Sequence, residues 1–289
     1  MKKAGPKQRR GETPARSQRR RTGEATVLPT TEDTTRIGTL STAGIKSLLS
    51  DVAAGRVTPE EAARRLDGLG DGILGFATLD NHRDGRTGFI EVVYCAGKTP
   101  EQTAAILRHQ AESHVVLLAT RAEPAHAEAA RRAVPDLQYH PDAKLLRRLD
   151  PLRRVEAAPI AVVSAGTSDL SVAEEAALTI ETVGHTPSRH YDVGVAGLHR
   201  VAAIREELNR CGAVIVVAGM EGALPSVVAG LISRPVIAVP TSVGYGVALG
   251  GFAALLGMLA GCAPGVTVVN IDNGFGAAIA ACRINTPTS

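Results

Sequence analysis

Apolar runs alternate with helical stretches throughout the second half of the chain. Near-continuous Ala, Val and Ile segments occupy 159–164, 190–196, 213–218, 235–240 and 266–271. Because strands covered on both faces have uninterrupted apolar runs, this pattern predicts a parallel sheet with helices on both sides. Five such units predict a flavodoxin-like three-layer α/β fold, in which right-handed crossovers place every strand-end loop on one edge of the sheet.

The first half shows a looser alternation of elements. The pattern predicts helices at 41–52, 59–66, 100–112 and 124–134, and strands at 89–94 and 114–120. Thr58 before Pro59, with acidic side chains in the following turn, is typical of a helix start. We therefore expect a smaller N-terminal α/β domain over 37–150, followed by the catalytic domain over 151–289.

The N-terminal segment differs from the rest in charge. Nine basic and two acidic side chains lie in the first 25 residues, whereas the whole chain carries a formal charge of +3, so the remainder is acidic. Few apolar residues and like-charge repulsion predict a disordered basic tail over 1–36. The tail lacks the apolar core of a signal peptide, and we expect it to bind neither nucleic acid nor membrane.

The four cysteines and one long uncharged stretch limit the possible classes of protein. The cysteines have no paired short spacing, which indicates neither a zinc site nor a disulfide framework and favours reduced thiols in the cytoplasm. Residues 235–271 contain no Asp, Glu, Lys or Arg, but prolines and glycines divide them. A helix over 247–260 would be too short to cross a bilayer, so we expect a buried helix that also packs on a second subunit.

Several strand-end loops contain polar side chains. Gly166, Thr167, Ser168 and Asp169 follow the first strand, where hydroxyls and free N–H groups predict phosphate binding, with an ordinary capping turn as the alternative. His199 and Arg200 follow the second strand. The guanidinium of Arg200 suits a phosphate or carboxylate, although such a pair is often a solvated helix start.

The last three strands end in loops with candidate chemistry. Glu221 lies among glycines and alanines, so we expect desolvation to raise its pKa and suit it to proton transfer; an exposed turn is the alternative. The glycine-rich loop over 241–246 can wrap around a ligand. Cys262 comes after the uncharged helix, where position alone predicts an unreactive thiol.

Five segments resemble the LarB family, and the C-terminal half also resembles the carboxylating mutase PurE. The segments are NHRDGRTGFIEVVYCAGKTPEQ at 81–102, VAGLHR at 195–200, VAGMEGALPSVVAGL at 217–231, RPVIAVPTSVGYG at 234–246 and VVNIDNGFGAA at 268–278. The resemblance implies a PurE-like fold and a homo-oligomer, an octamer in the PurE family.

The resemblance also implies a reaction. LarB makes pyridinium-3,5-biscarboxylic acid mononucleotide, a precursor of the nickel-pincer nucleotide of lactate racemase. The implied substrates are nicotinic acid adenine dinucleotide and CO2 or bicarbonate, and the implied products are the mononucleotide and AMP. Cys262 is the implied nucleophile and Glu221 the implied acid or base, with His199 as second choice.

Substrate and metal contacts complete the expectation. Mg2+ is expected at the phosphates, with Asp169, Asp272 and Glu174 as its candidate ligands. The predicted substrate-binding residues are Gly166, Thr167, Ser168, Asp169, Arg200, Gly222, Ala223, Thr241, Ser242, Gly244, Tyr245, Asn270, Asp272, Asn273 and Lys98. Two alternatives stay open: a PurE-type mutase acting on an aminoimidazole ribonucleotide, which needs no thiol, and a non-catalytic nucleotide-binding regulator.

Overall fold

The structure is a computed structural model that describes residues 42–67, 71–80, 83 and 87–286. The predicted tail lies outside these residues. Two short helices come first, α1 (Thr42–Ala53) and α2 (Pro59–Asp67), followed by an antiparallel pair, β1 (Asp71–Leu74) and β2 (Ala77–Asp80). The sequence pattern predicted both helices but not the hairpin.

A four-stranded mixed sheet forms the next unit, in the order β3-β4-β6-β5. Its strands are β3 (Val93–Tyr94), β4 (Leu117–Thr120), β5 (Gln138–His140) and β6 (Leu145–Arg148). Two helices pack against each other beside it, α3 (Pro100–Ser113) and α4 (Pro124–Ala133). Thr99 caps α3, because its hydroxyl accepts the N–H of Gln102 at 3.2 Å while the Gln102 side chain accepts the N–H of Thr99 at 3.0 Å.

A five-stranded parallel sheet forms the second half, in the order β11-β10-β9-β7-β8. Its strands are β7 (Ile160–Ser164), β8 (Pro187–His190), β9 (Ala213–Ala218), β10 (Val236–Pro240) and β11 (Val266–Val268). Numbered within this sheet, the order is 2-1-3-4-5, which is that of flavodoxin-like proteins. The predicted fold class is therefore confirmed.

Helices cover both faces of the parallel sheet. One face packs on α5 (Leu170–Thr182) and α10 (Gly274–Asn285) through an aliphatic core. The other face packs on α6 (Leu198–Ala203), α7 (Arg205–Arg210), α8 (Leu224–Leu231) and α9 (Phe252–Leu259). Alanines and valines fill both layers, as expected for a chain with no Trp and four Phe.

Two predictions about these elements were wrong. The second strand of the parallel sheet lies at Pro187–His190 rather than over 190–196, because Val195–Gly197 form a 3-10 turn. The expected buried helix over 247–260 divides into a 3-10 segment, Gly246–Gly251, and α9, with exposed side chains at Phe252, Leu256 and Leu259. Among the described helices, none combines the length and the apolarity needed to cross a bilayer.

The two halves share a core and several ion pairs. Leu178 on α5 and Phe275 on α10 pack into a cluster formed mainly by the N-terminal half, including Leu118 and Leu145. Arg147 on β6 donates to Glu181 on α5 at 2.7 Å. Arg121, just after β4, pairs with Glu175 on α5 at 3.4 Å. The strand-end loops of the parallel sheet thus lie against the N-terminal half.

Candidate active site

A cavity of about 260 Å³ opens at the carboxyl edge of the parallel sheet, between the ends of β7 and β9. The strand order reverses at this point, which is where ligands bind in open α/β sheets. Most of its wall is apolar and small, from Ala165 and Ala218 to Leu224. Asp169 and Glu221 are the charged residues among the described residues that line it, and both are acidic.

Asp169 is the buried carboxylate of this cavity. It accepts the Thr241 hydroxyl at 2.7 Å and the Gly166 N–H at 3.0 Å. Burial raises the pKa of Asp169 above its ordinary value, against the opposing effect of these hydrogen bonds. The Gly166 N–H is thus engaged by the protein, while Thr167 and Ser168, whose hydroxyls are predicted to bind a phosphate, are exposed.

Glu221 differs from the sequence-based expectation. The prediction that small neighbours would desolvate it was wrong, because its side chain is exposed at the cavity wall. Met220 before it and Gly222 after it both have left-handed backbone conformations, with φ of 53° and 68°. A methyl group on Gly222 would lie 2.7 Å from the Ala254 carbonyl oxygen, so this tight loop holds α9 close.

Cys262 lies outside the residues that line this cavity. It is exposed and follows α9, which packs on the Glu221 loop through Gly257. The neighbouring Gly261 lies against the side chain of Ser226, in the first turn of α8. The thiol is therefore exposed on the surface where the end of α9 meets the start of α8, outside the cavity lining.

His199 and Arg200, the candidate residues predicted to follow the second strand, also lie outside the cavity lining. His199 is exposed on α6. Arg200 donates to the backbone carbonyl of Asp192 at 2.6 Å and pairs with its carboxylate at 3.0 Å. The structure therefore gives Arg200 an internal partner.

The loop after β11 is fixed by its own side chains. The Asp272 carboxylate accepts the N–H of Ser242 at 2.8 Å, and Asn273 caps α10 by accepting the N–H of Gly276 at 2.8 Å. The side chain of Asn270 accepts the N–H of Ile271 at 2.9 Å. Asp272 and Ser242 line a second cavity, described below, whereas Tyr245 is exposed outside both.

The candidate metal ligands do not form a cluster. The Glu174 carboxylate accepts the Tyr191 hydroxyl at 2.6 Å and pairs with Arg189 at 3.1 Å. Within the described residues, no group of three His, Cys, Asp or Glu side chains is close enough to share a metal ion. These residues therefore do not fit a resident metal, and Mg2+ stays a prediction as a counter-ion of substrate phosphates.

A second cavity, of about 510 Å³, lies between the two halves. Ser168 and Val243 line both cavities, so the two adjoin. Its N-terminal wall includes Arg121 and Lys144, which the sequence analysis did not single out; Lys98 is not part of it. Arg121 directly follows a strand, and the rule applied to the C-terminal loops would have found it.

Comparison with known proteins identifies the family of the C-terminal half. Residues 159–288 match the AIR carboxylase family. Over 130 residues, 43% of this chain, it is 36% identical to an N5-carboxyaminoimidazole ribonucleotide mutase of Methanocaldococcus jannaschii, covering 77% of that protein. Treponema denticola PurE aligns with 44% of this chain and 79% of its own, at 25% identity and a TM-score of 0.35.

The N-terminal half narrows the identification. Residues 72–149 match the family described as LarB/PurE-like N-terminal domain. An uncharacterized protein of Methanocaldococcus jannaschii is 41% identical over 210 residues, covering 70% of this chain and 80% of that protein. The chain belongs to the LarB family, with a PurE-like C-terminal domain. These matches support a carboxylase- or mutase-type enzyme of nucleotide metabolism.

Proposed function

We propose that the protein carboxylates carbon 5 of the pyridinium ring of nicotinic acid adenine dinucleotide and hydrolyses its phosphoanhydride. The products are pyridinium-3,5-biscarboxylic acid mononucleotide and AMP, which belong to nickel-pincer nucleotide biosynthesis. One observation carries the proposal: the switch-point cavity has two carboxylates and no Lys, Arg or His among its described lining residues. Such a site favours a cationic ring, because acidic groups stabilise a positive charge.

A nucleophile makes this carboxylation chemically feasible. Carbon 5 of a pyridinium is electron-poor and does not attack CO2. Addition of the Cys262 thiolate at a neighbouring ring carbon gives a neutral enamine, whose carbon 5 then forms the bond to CO2. A base next removes the proton from carbon 5, and the thiolate leaves as the ring regains aromaticity.

Glu221 is our choice for that base. Its carboxylate lines the cavity and is exposed, and α9 packs on its loop before leading to Cys262. We therefore assign the reacting ring to the mouth of the cavity, between Glu221 and the α8–α9 surface, with buried Asp169 below it. The apolar wall suits CO2, which carries no charge.

A product analysis tests the reaction. The full chain is incubated with nicotinic acid adenine dinucleotide, bicarbonate and Mg2+, and the masses of the products are determined by mass spectrometry. We expect AMP and a mononucleotide that is heavier than nicotinic acid mononucleotide by one carboxyl group. Cys262→Ser should abolish carboxylation, and Glu221→Gln should lower its rate by about 10²- to 10⁴-fold, the range for removal of a general base.

The second candidate is a PurE-type mutase, favoured by the identity to the N5-carboxyaminoimidazole ribonucleotide mutase. That reaction moves CO2 on a ribonucleotide and needs no thiol. Conversion of N5-carboxyaminoimidazole ribonucleotide at equal rates by the unmodified protein and by Cys262→Ser, with the dinucleotide unchanged, would replace the proposed function by this one.

A further inference from the structure

The cavity between the two halves has features of a ligand site of its own. The N-terminal half contributes Tyr94, Arg121 and Lys144, and the C-terminal half contributes Ser171 and Ser242. At about 510 Å³ it is the larger of the two adjoining cavities. A ligand can therefore extend from the switch-point cavity past Ser168 into this cleft.

Backbone conformation supports a function for the cleft. Six described residues other than glycine have positive φ, and four of them line the two cavities. Met220 belongs to the switch-point cavity, and Arg121, Lys144 and Asp272 belong to the cleft, with φ of 57°, 48° and 55°. Such conformations are disfavoured for long side chains and are concentrated at functional sites.

The cleft offers groups for each part of a nucleotide. Tyr94 is 57% exposed, and its ring provides a flat surface on which a base can stack. Arg121 and Lys144 provide cations for a phosphate, and the hydroxyls of Ser171 and Ser242 can bind a ribose. Arg121 pairs with Glu175 at 3.4 Å and Lys144 with Glu123 at 2.7 Å, and Glu123 and Asp272 also line the cleft, so a phosphate would share each cation with a carboxylate.

We propose that this cleft binds the nucleoside monophosphate half of the dinucleotide, the half that hydrolysis releases. This inference rests on the proposed function. The pyridinium half would occupy the switch-point cavity, and the phosphates that join the halves would lie at Ser168, beside the start of α5. The N-terminal half then selects a dinucleotide over a mononucleotide.

Calorimetric titration of the full chain tests the assignment. AMP is the probe for the cleft, and nicotinic acid mononucleotide is the probe for the switch-point cavity. We expect Tyr94→Ala to weaken AMP binding roughly tenfold or more, because a stacked base is lost, whereas Tyr94→Phe retains the ring and most of the affinity. Lys144→Gln should weaken AMP binding roughly tenfold through loss of a charge-assisted contact.

The matched control is Arg132→Gln, which removes one exposed positive charge from the same half outside the cleft. It should leave AMP binding unchanged. Affinity for nicotinic acid mononucleotide should not change in the Tyr94 and Lys144 variants. Equal weakening of both probes, or no weakening of AMP binding by Tyr94→Ala and Lys144→Gln, overturns the inference.

The two proposals fail in different ways. Loss of the proposed function shows as an absence of carboxylated product with the unmodified protein. Failure of the cleft assignment shows as AMP binding that is absent or independent of Tyr94 and Lys144, even when that product forms. Binding of AMP that depends on both residues supports the cleft whether or not carboxylation occurs.

Discussion

Burial separates the four cysteine thiols. It raises the pKa of Cys95 to about 11 and that of Cys282 to about 12, and it raises the pKa of Cys211 as well. Cys262 is exposed. Because the thiolate is the reactive form and a reagent must reach it, burial disfavours reaction at Cys95, Cys211 and Cys282.

Native alkylation tests this selectivity. Brief treatment of the folded protein with iodoacetamide near pH 8 should add one carbamidomethyl group, located on Cys262 by peptide mass spectrometry. Cys262→Ser should remain unmodified under the same conditions. Modification spread over Cys95, Cys211 and Cys282 at equal rates would contradict the burial described for them.

The two carboxylates of the switch-point cavity show a limit of local sequence reasoning. Small neighbours suggested that Glu221 would be desolvated, but glycine and alanine are too short to cover a side chain. Asp169 is the desolvated group because it is buried, and its partner there is the hydroxyl of Thr241, 72 positions later in the chain. A contact across that sequence distance leaves no local pattern, so the identity of the buried acid could not be predicted.

At the scale of elements, α9 and the Glu221 loop form one packed unit. A methyl group on Gly257 would overlap the carbonyl oxygen of Glu221, and a methyl group on Gly222 would meet the backbone of Ala254. Glycine at these positions permits the close approach of helix and loop. The position of the proposed base therefore depends on a helix that contributes none of the cavity's described lining residues.

A pair of glycine substitutions tests this packing. Gly257→Ala should lower the free energy of unfolding by about 1–3 kcal/mol through overpacking and should reduce carboxylation, because the Glu221 loop must shift. Gly230→Ala, in α8 with no atom near the added methyl group, should instead stabilise by about 0.5–1 kcal/mol. Thermal unfolding and product analysis measure both effects; equal stability changes in the two variants would exclude the packing explanation.

Strands that are buried on both faces could be predicted from the sequence, whereas edge strands and short strands could not. The runs at 213–218 and 235–240 become β9 and β10, which lie inside the sheet and are covered on both faces. The edge strand β8 contains Ser, Arg and His, so its pattern is polar. The strand was therefore predicted over 190–196, where the residues are more apolar. Strands β5 and β6 were missed, because they are short and β6 carries two arginines.

At the scale of the whole molecule, low pH should weaken the contact between the two halves. Burial alone would raise the pKa of Glu181, but hydrogen bonds from Arg147 and Arg189 outweigh it and lower the pKa below the ordinary 4.5. A lowered carboxylate pKa means that the stabilisation is present above pH 4.5 and is lost as the pH falls through the lower, folded-state value.

Thermal unfolding measured over a range of pH tests the direction of this dependence. At pH 7, Glu181→Gln should lower the free energy of unfolding by about 1–2 kcal/mol, because Arg147 is buried and loses its charged partner. The difference from the unmodified protein should shrink below pH 4.5. Glu128→Gln breaks an exposed pair with Arg132 and should change little at any pH. A Glu181→Gln effect that grows in acid would contradict this assignment.

The assembly of the protein stays a prediction with a defined surface. Exposed apolar side chains gather on the 3-10 segment and α9, at Val247, Leu249, Phe252, Leu256 and Leu259. An apolar patch of this kind is typical of an interface. Leu256→Asp should reduce the mass measured by light scattering, whereas Leu152→Asp, at another exposed position, should not. An unmodified protein with the mass of one chain would rule out the homo-oligomer.

One hydrogen bond between the two halves depends on a side chain at one end and on the backbone at the other. Arg121 donates to the backbone carbonyl of Asp272, not to its carboxylate. Every amino acid has that carbonyl, so replacement of the side chain at 272 keeps the acceptor, whereas replacement at 121 removes the donor. This hydrogen bond should therefore survive replacement of Asp272, whose carboxylate binds the Ser242 N–H instead, but not replacement of Arg121.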